Sequence, residues 1–180
     1  MNSNLQLILD PQEKIIWQGN ISRKILSFKF ALSLVIIIAF LIFLFSSSEN
    51  SNFISYLLFF VLLITAATKF LMDYVKVFTV TDKRIIIRSG IIGTDYNSIF
   101  FTEIKTINVQ VDLIEKIFGV GSINIDTGKI ETIDDGKSNA TKTAYDKLLY
   151  INQPYEVYKI LQSTLSNRQE NLYSGQIDKK

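Results

Sequence analysis

The sequence predicts a membrane-anchored α+β protein, in which a two-helix transmembrane hairpin is followed by an antiparallel β-barrel or sandwich with a C-terminal helix. Three observations predict this architecture. Two long apolar runs follow one another between Ile25 and Met72. Several short runs with strict apolar–polar alternation come next, which is typical of antiparallel sheet with one wet face. Apolar residues then recur at helical spacing from Val157 to Leu165.

Both apolar runs are long enough to cross a bilayer. The first extends from Phe30 to Phe45 and is interrupted only by Ser33. Extended back to Ile25, it measures about 31 Å at ~1.5 Å per residue, which matches a hydrocarbon core of roughly 30 Å. The second, Phe53 to Phe70, measures about 27 Å by the same rise. Neither run has the polar face that a surface helix of a soluble domain would show.

The distribution of charge orients this pair of helices. Arg23, Lys24 and Lys29 lie before or at the start of the first run, while Lys69 and Lys76 flank the end of the second. The connecting stretch, SSSENSN, holds one glutamate and no cation. Because cationic flanks stay in the cytoplasm, the stretch is predicted to be external and both termini cytoplasmic, in a multi-pass protein of the plasma membrane.

Two alternatives to a membrane hairpin fit the sequence less well. A buried helical pair would need more than 180 residues to wrap it easily. A cleaved signal peptide would be followed by a small-residue cleavage site, whereas here a second apolar run comes at once. Neither run holds Asp, Glu or Arg, which transporters and proton relays need at depth, so the pair is predicted to be an anchor.

Short β-rich runs follow the second apolar run. YVKVFTVTDKRIIIRSG contains two of them around a TDKR turn, and GTDYNSIFF gives a third. INVQV and SINID alternate strictly between apolar and polar residues. The region from Lys129 to Asp146 is polar and predicts a weak hairpin or long loop, followed by a strand at Lys147 to Ile151.

Two helices are predicted around these strands. Between INVQV and SINID, Asp112 and Glu115 have capping-box spacing, and Gly119 suits the C-terminal end of a short helix. Its apolar stripe consists of Leu113, Ile114, Ile117 and Phe118. Near the C-terminus, Asn152 and Pro154 are typical of a helix start, and the polar tail beyond the helix is predicted to fray.

Composition excludes several classes of function. The net charge of +2 gives no basic footprint for nucleic acid. The chain has no cysteine and no histidine, which removes thiolate chemistry, the commonest general base and the commonest zinc ligand. Acidic residues between Asp126 and Asp135 lack the spacing of a calcium loop. The prediction is therefore a protein that is not an enzyme and has no catalytic residue, metal or cofactor.

The order of motifs resembles the bacterial pleckstrin-homology (PH)-like membrane proteins, often called YdbS-like. The matching features are EKIIWQG before the first apolar run, the two-run hairpin, and YVKVFTVTDKRIIIRSGIIG. FTEIKTINVQVDLIEKIFGVGSINIDTG and a closing INQPYEVYKIL follow. The resemblance covers roughly residues 10 to 165 and implies a PH-like barrel on the cytoplasmic face of a bacterial membrane, without an implied activity. The stretch TDYNSIFF lacks the arginines that relatives often carry there.

Five residues are candidates for function. Lys83, Arg84 and Arg88 lie around the predicted first hairpin of the sheet, which in eukaryotic PH domains often grips inositol phosphates, and they are candidates for anionic-headgroup contact. A solvated turn is the alternative. Trp17 and Tyr74 are candidate interfacial anchors, although Trp17 fits packing against the barrel equally well.

The predicted function is a non-enzymatic, membrane-anchored PH-like module that binds a protein partner or organises a complex at the cytoplasmic membrane face. The alternative is sensing of anionic lipid or bilayer state. The expected partners are the lipid bilayer and a protein, and self-association through Thr65 to Thr68 stays open. The predicted segments are an N-terminal cytoplasmic segment, 1–24; transmembrane helix 1, 25–45; an external loop, 46–52; transmembrane helix 2, 53–72; a cytoplasmic PH-like domain, 73–169; and a disordered tail, 170–180.

Overall fold

The computed structural model describes residue 5 and residues 7–46, 53–91, 93–134 and 139–177. The strands and helices of these ranges are, in chain order, β1 (Ile15–Asn20), α1 (Arg23–Ser46), α2 (Phe53–Tyr74), β2 (Val77–Thr81), β3 (Arg84–Ser89), β4 (Asp95–Phe100), β5 (Thr106–Gln110), α3 (Leu113–Phe118), β6 (Val120–Asp134), β7 (Asn139–Asn152) and α4 (Pro154–Ile177).

The strands form two antiparallel sheets. One has the order β1-β2-β3-β4 and the other the order β5-β6-β7. Phe78 and Ile85 of the first sheet, Ile123 and Leu148 of the second, and Leu161 of α4 are fully buried in a single cluster. Antiparallel sheets with a C-terminal helix are therefore confirmed, and the alternation of SINID does place Ile123 in the core.

The helices α1 and α2 form an antiparallel pair inserted between two neighbouring strands. The ring of Phe30 lies 5.1 Å from that of Phe70, and the ring of Phe40 lies 4.9 Å from that of Phe59. By length and composition, Arg23–Ile42 is the one segment within the described ranges that qualifies as a membrane span. The two-span membrane hairpin therefore stays a prediction, and residues 47–52 of its external loop lie outside the described residues.

The N-terminal segment is part of the sheet. Strand β1 pairs along β2, from Ile15 opposite Thr81 to Asn20 opposite Val77. The sequence places this strand in a separate segment, 1–24, because its partner lies beyond both apolar runs and no local pattern indicates the pairing. TDKR is therefore the second connection of this sheet, and the helical pair itself is the first.

The first turn of α1 also belongs to the domain. Ile25 and Leu26, which the sequence assigns to transmembrane helix 1, are 1% and 4% exposed within the same core cluster as the strands. Phe28 and Phe30, in contrast, are exposed on the helix. The exposed apolar part of α1 therefore starts about one turn after residue 25, where the predicted span begins.

The hairpin of β6 and β7 is longer than expected. Ile130 pairs with Thr143, and Asp134 pairs with Asn139. Both pairs lie within the region that is predicted from the sequence to be a weak hairpin or long loop. Pairing with β5 reaches only as far as Asp126, so the hairpin beyond it is two-stranded. A two-stranded ribbon needs no apolar alternation, which is why the sequence signal is weak.

The C-terminal helix passes the predicted boundary at residue 169. It continues to Ile177, which covers most of the predicted disordered tail, 170–180. Extending an existing helix is far easier than nucleating one, so a polar sequence can continue it. Residues 178–180 lie outside the described residues.

Candidate functional site

The three candidate headgroup cations do not form one cluster. Val77, the first residue of β2 after the helical pair, lies opposite Arg88 at the other end of β3 from Arg84. These two arginines are four steps apart along an extended strand, a distance of about 13 Å at ~3.3 Å per residue. Arg88 therefore lies at the end of the sheet next to α2, whereas Lys83 and Arg84 lie at the far end.

Arg84 is held by a buried carboxylate. Its Nη2 and Nε atoms donate to the two carboxylate oxygens of Glu13 at 2.8 and 3.0 Å, and Nη2 also donates to the carbonyl oxygen of Ile8 at 2.9 Å. The hydroxyl of Thr81 donates to Glu13 at 2.7 Å. Only 14% of the Arg84 side chain is exposed. Through its hydrogen bonds, the guanidinium joins the N-terminal segment to the β2–β3 turn.

This arrangement changes the acidity of Glu13. Hydrogen bonds from Arg84 lower the pKa of Glu13 from 4.5 to about 2; burial opposes the shift, and the bonds from the Thr81 hydroxyl and the Asp10 backbone N–H add to it. The pKa of Arg84 is raised by the same pairing. Both groups are therefore charged at neutral pH and bind each other.

Lys83 and Arg88 have different surroundings. Lys83 Nζ lies 3.0 Å from a carboxylate oxygen of Asp10, so it belongs to the same N-terminal contact as Arg84. Arg88 is half-buried opposite Tyr96, and its Nε has no hydrogen-bond partner in the part of the chain that the structure describes. Headgroup contact by Lys83, Arg84 and Arg88 stays a prediction. The pairing of Lys83 and Arg84 with carboxylates of the N-terminal segment favours structural roles for these two.

The two candidate anchors are placed differently. Trp17 is half-buried and packs against the core, with its indole over Gly19, where a Cβ atom would collide with the ring. Tyr74 is the last residue of α2 and is 56% exposed. Packing is thus the better account of Trp17, while an interfacial position for Tyr74 stays a prediction.

Tyr150 joins β7 to the start of α1, and sequence reasoning missed it. Its φ of 50° lies in the left-handed region, which is unusual for a bulky residue. The backbone N–H of Ser22 donates to its carbonyl oxygen at 2.9 Å, and Lys29 Nζ lies 3.8 Å from its ring centroid. No glycine or asparagine marks the position, so the sequence carries no signal for it.

Two concave surfaces lie at the end of the domain next to the helical pair. A cleft of about 710 Å³ is lined by the residues from Gln18 to Lys24, with Val77 and Asn152, and so includes the cations Arg23 and Lys24. A groove of about 400 Å³ lies between α3 and the start of α4, with Lys116 and Tyr155 among its lining residues.

The side chains that line these surfaces determine which ligands they suit. Across the described ranges, no group of three or more acidic side chains is placed to hold a metal ion. The polar groups that line the cleft are backbone, amide, hydroxyl and cationic groups, which suit anionic or peptide ligands.

Comparison with known proteins identifies a family. A family model described as "Bacterial PH domain" matches residues 25–163, which is more than half of the chain. No curated protein matches the chain, and no solved structure matches it.

Proposed function

The chain belongs to the bacterial PH domain family, and on that premise we propose that it is a non-enzymatic module anchored in the cytoplasmic membrane by α1 and α2. There it binds a protein partner or organises a complex at the cytoplasmic face. PH domains are in general non-catalytic modules that bind lipids or proteins. Beyond this general property of PH domains, we propose anchoring in the membrane, a topology with both termini cytoplasmic, and binding of a protein partner.

One observation carries the proposal: the helical pair is built into the domain. Two residues separate β1 from α1, and two separate α2 from β2. Both helices therefore leave from adjacent, hydrogen-bonded strand ends, while Ile25 and Leu26 fix the first turn of α1 in the core. An exposed apolar helix joined this rigidly would hold the domain at one height and orientation on the bilayer.

The proposed protein-binding element is the two-stranded end of the β6–β7 hairpin, residues 130–134 and 139–143, here called the arm. Strand β5 does not extend along it, and Ile130 is 68% exposed. Unpaired strand edges accept an added strand from a partner, with backbone hydrogen bonds providing affinity. Confinement to the membrane would raise the local concentration of the arm near membrane-bound partners.

Site-specific photo-crosslinking tests this function. A photoreactive residue at Ile130 of the full chain, irradiated in native membranes, is expected to give a protein adduct of defined mass. The matched control is Ile42, which is 65% exposed on α1 and should give lipid adducts alone. Absence of any protein adduct from Ile130 and from Tyr155 in the groove would contradict protein binding.

A second candidate function, contact with anionic headgroups, is favoured by the cationic cleft. Arg23 and Lys24 line it at the base of α1, where headgroups would lie if α1 spans the membrane. The full chain purified with bound lipid should lose anionic lipid, measured by native mass spectrometry, on the double change Arg23→Gln and Lys24→Gln. Lys83→Gln is the control for a cation at the far end of the sheet, and equal loss from both variants would contradict this site.

A further inference from the structure

Helix α3 buries its one acidic side chain and exposes three of its four apolar side chains. Glu115 is 4% exposed, and its carboxylate accepts hydrogen bonds from the backbone N–H of Asp112 at 2.8 Å and the hydroxyl of Ser122 at 2.9 Å. Leu113 is 79% exposed and Ile117 is 73% exposed. A helix that faces water shows the opposite arrangement. The apolar stripe that the sequence predicts therefore exists, but its greater part is turned away from the domain core.

The position of α3 along α1 can be read from one ring contact. Phe118, the last residue of α3, has its ring 5.1 Å from that of Phe28. Phe28 precedes Phe30, the start of the apolar run, by about 3 Å along the helix at ~1.5 Å per residue. Helix α3 thus lies beside α1 at the N-terminal end of its apolar run, the end proposed to be cytoplasmic.

Helix α3 adjoins the exposed apolar surface of α1 at Phe28. Phe28, Phe30 and Leu32 are 39%, 50% and 48% exposed. The exposed side chains Leu113 and Ile117 lie on the helix that touches the first of these residues. The same solvent should therefore cover both surfaces, and for α1 the proposed solvent is lipid.

The charges around this face suit the interfacial layer of a membrane. The acid within α3, Glu115, is turned inward. Lys116 is exposed and lines the adjoining groove. At the edge of the face, Asp112 accepts a hydrogen bond from the side-chain amide of Gln110 at 3.2 Å. Short apolar surfaces bordered by lysine bind at the boundary between headgroups and acyl chains.

We propose that α3 inserts Leu113, Ile114 and Ile117 into the cytoplasmic interfacial layer of the bilayer that α1 crosses. The inference rests on the proposed anchoring by α1. It adds a third point of membrane contact, beside the bases of α1 and α2, and three points fix the tilt of the domain as well as its height. The arm, which extends from the opposite end of β6, is then directed away from the bilayer.

Quenching of tryptophan by brominated lipid tests the proposal. Trp17 is the only tryptophan of the chain, so Trp17→Phe gives a background without one. In that background, Ile117→Trp, Ile130→Trp and Ile42→Trp replace isoleucines that are 73%, 68% and 65% exposed, on α3, on the arm and on α1. Each full-length variant is reconstituted in vesicles whose lipids carry bromine near the carbonyl end of the acyl chain.

The expected result is a loss of fluorescence for Ile117→Trp and Ile42→Trp, and none for Ile130→Trp. Quenching of Ile42→Trp without quenching of Ile117→Trp would overturn the inference while leaving the anchoring intact. A blue-shifted but unquenched Ile117→Trp would also overturn it, because a protein or a second copy of the chain would then cover α3. Quenching of neither would overturn the anchoring itself.

Discussion

Arg84 shows how a cation chosen from its sequence neighbourhood can have a distant structural partner. The turn TDKR makes Arg84 a reasonable candidate for headgroup contact, but its hydrogen-bond partner Glu13 lies 71 residues away in the chain. A buried ion pair that loses one partner leaves an uncompensated charge. The function of Arg84 is therefore expected to be the attachment of the N-terminal segment to the sheet.

Removing the carboxylate tests this role. Glu13→Gln should lower the free energy of unfolding by about 3 to 5 kcal/mol, because the Arg84 guanidinium would stay buried without its counter-charge. Unfolding of the full chain in micelles can be followed through Trp17, which lies on β1 near Glu13. Glu103→Gln removes an exposed carboxylate and is the matched control. Equal effects of the two substitutions would contradict a structural pair.

The same carboxylate predicts the pH dependence of stability. The pKa of Glu13 is lowered in the folded chain from 4.5 to about 2, so its contribution to stability is fully present above pH 4.5. That contribution is lost as the pH falls from 4.5 towards 2. Glu13→Gln should flatten the stability curve in this window, whereas a curve unchanged by the substitution would assign the acid sensitivity to other groups.

At the scale of elements, local patterns predict most of the strands and helices, whereas long-range pairing decides where they belong. Period-two alternation identifies INVQV and SINID, and capping-box spacing with Gly119 identifies α3, because these signals need no partner. The pairing of β1 with β2 spans both apolar helices, and no spacing in the sequence reports it. For the same reason, the sequence gives the apolar stripe of α3 but not the direction in which it faces.

The burial of the first turn of α1 gives a prediction about how this helix is attached to the domain. Ile25→Ala should lower the free energy of unfolding of the domain by about 2 to 5 kcal/mol, because it leaves a cavity in the core. Ile36→Ala makes the same change on the same helix at a residue that is 57% exposed, and its effect should be much smaller. Chemical unfolding of both variants in micelles measures the difference, and equal values would mean that α1 is merely tethered to the domain.

Strand β1 gives a second prediction about domain boundaries. A fragment that begins at Tyr74 lacks β1, together with the buried Ile21, Ile25 and Leu26, and leaves the edge of β2 unpaired. The fragment 74–169 is expected to aggregate or to show poorly dispersed amide resonances. A well-dispersed spectrum from a monomeric fragment would show that the core forms without the N-terminal segment.

The whole molecule is a PH domain whose first inter-strand connection is a helical pair. The connection from β1 to β2 contains α1 and α2, and the junction is reinforced by Ser22 and Lys29, which contact Tyr150. The sequence predicts the pair and the domain as consecutive segments, because a chain read in order cannot show that one is inserted in the other. Because the helical pair is inserted between two strands of the domain, the fold itself fixes the orientation of the domain relative to the pair.

The most direct test of this account is the accessibility of single cysteines in intact cells, since the chain has none of its own. Asn50→Cys, between the two apolar helices, is predicted to react with a membrane-impermeant maleimide added from outside. Lys179→Cys is predicted to react only after the membrane is permeabilised. Labelling of both residues from the same side, or release of the chain from membranes by alkaline carbonate, would contradict a hairpin that crosses the bilayer.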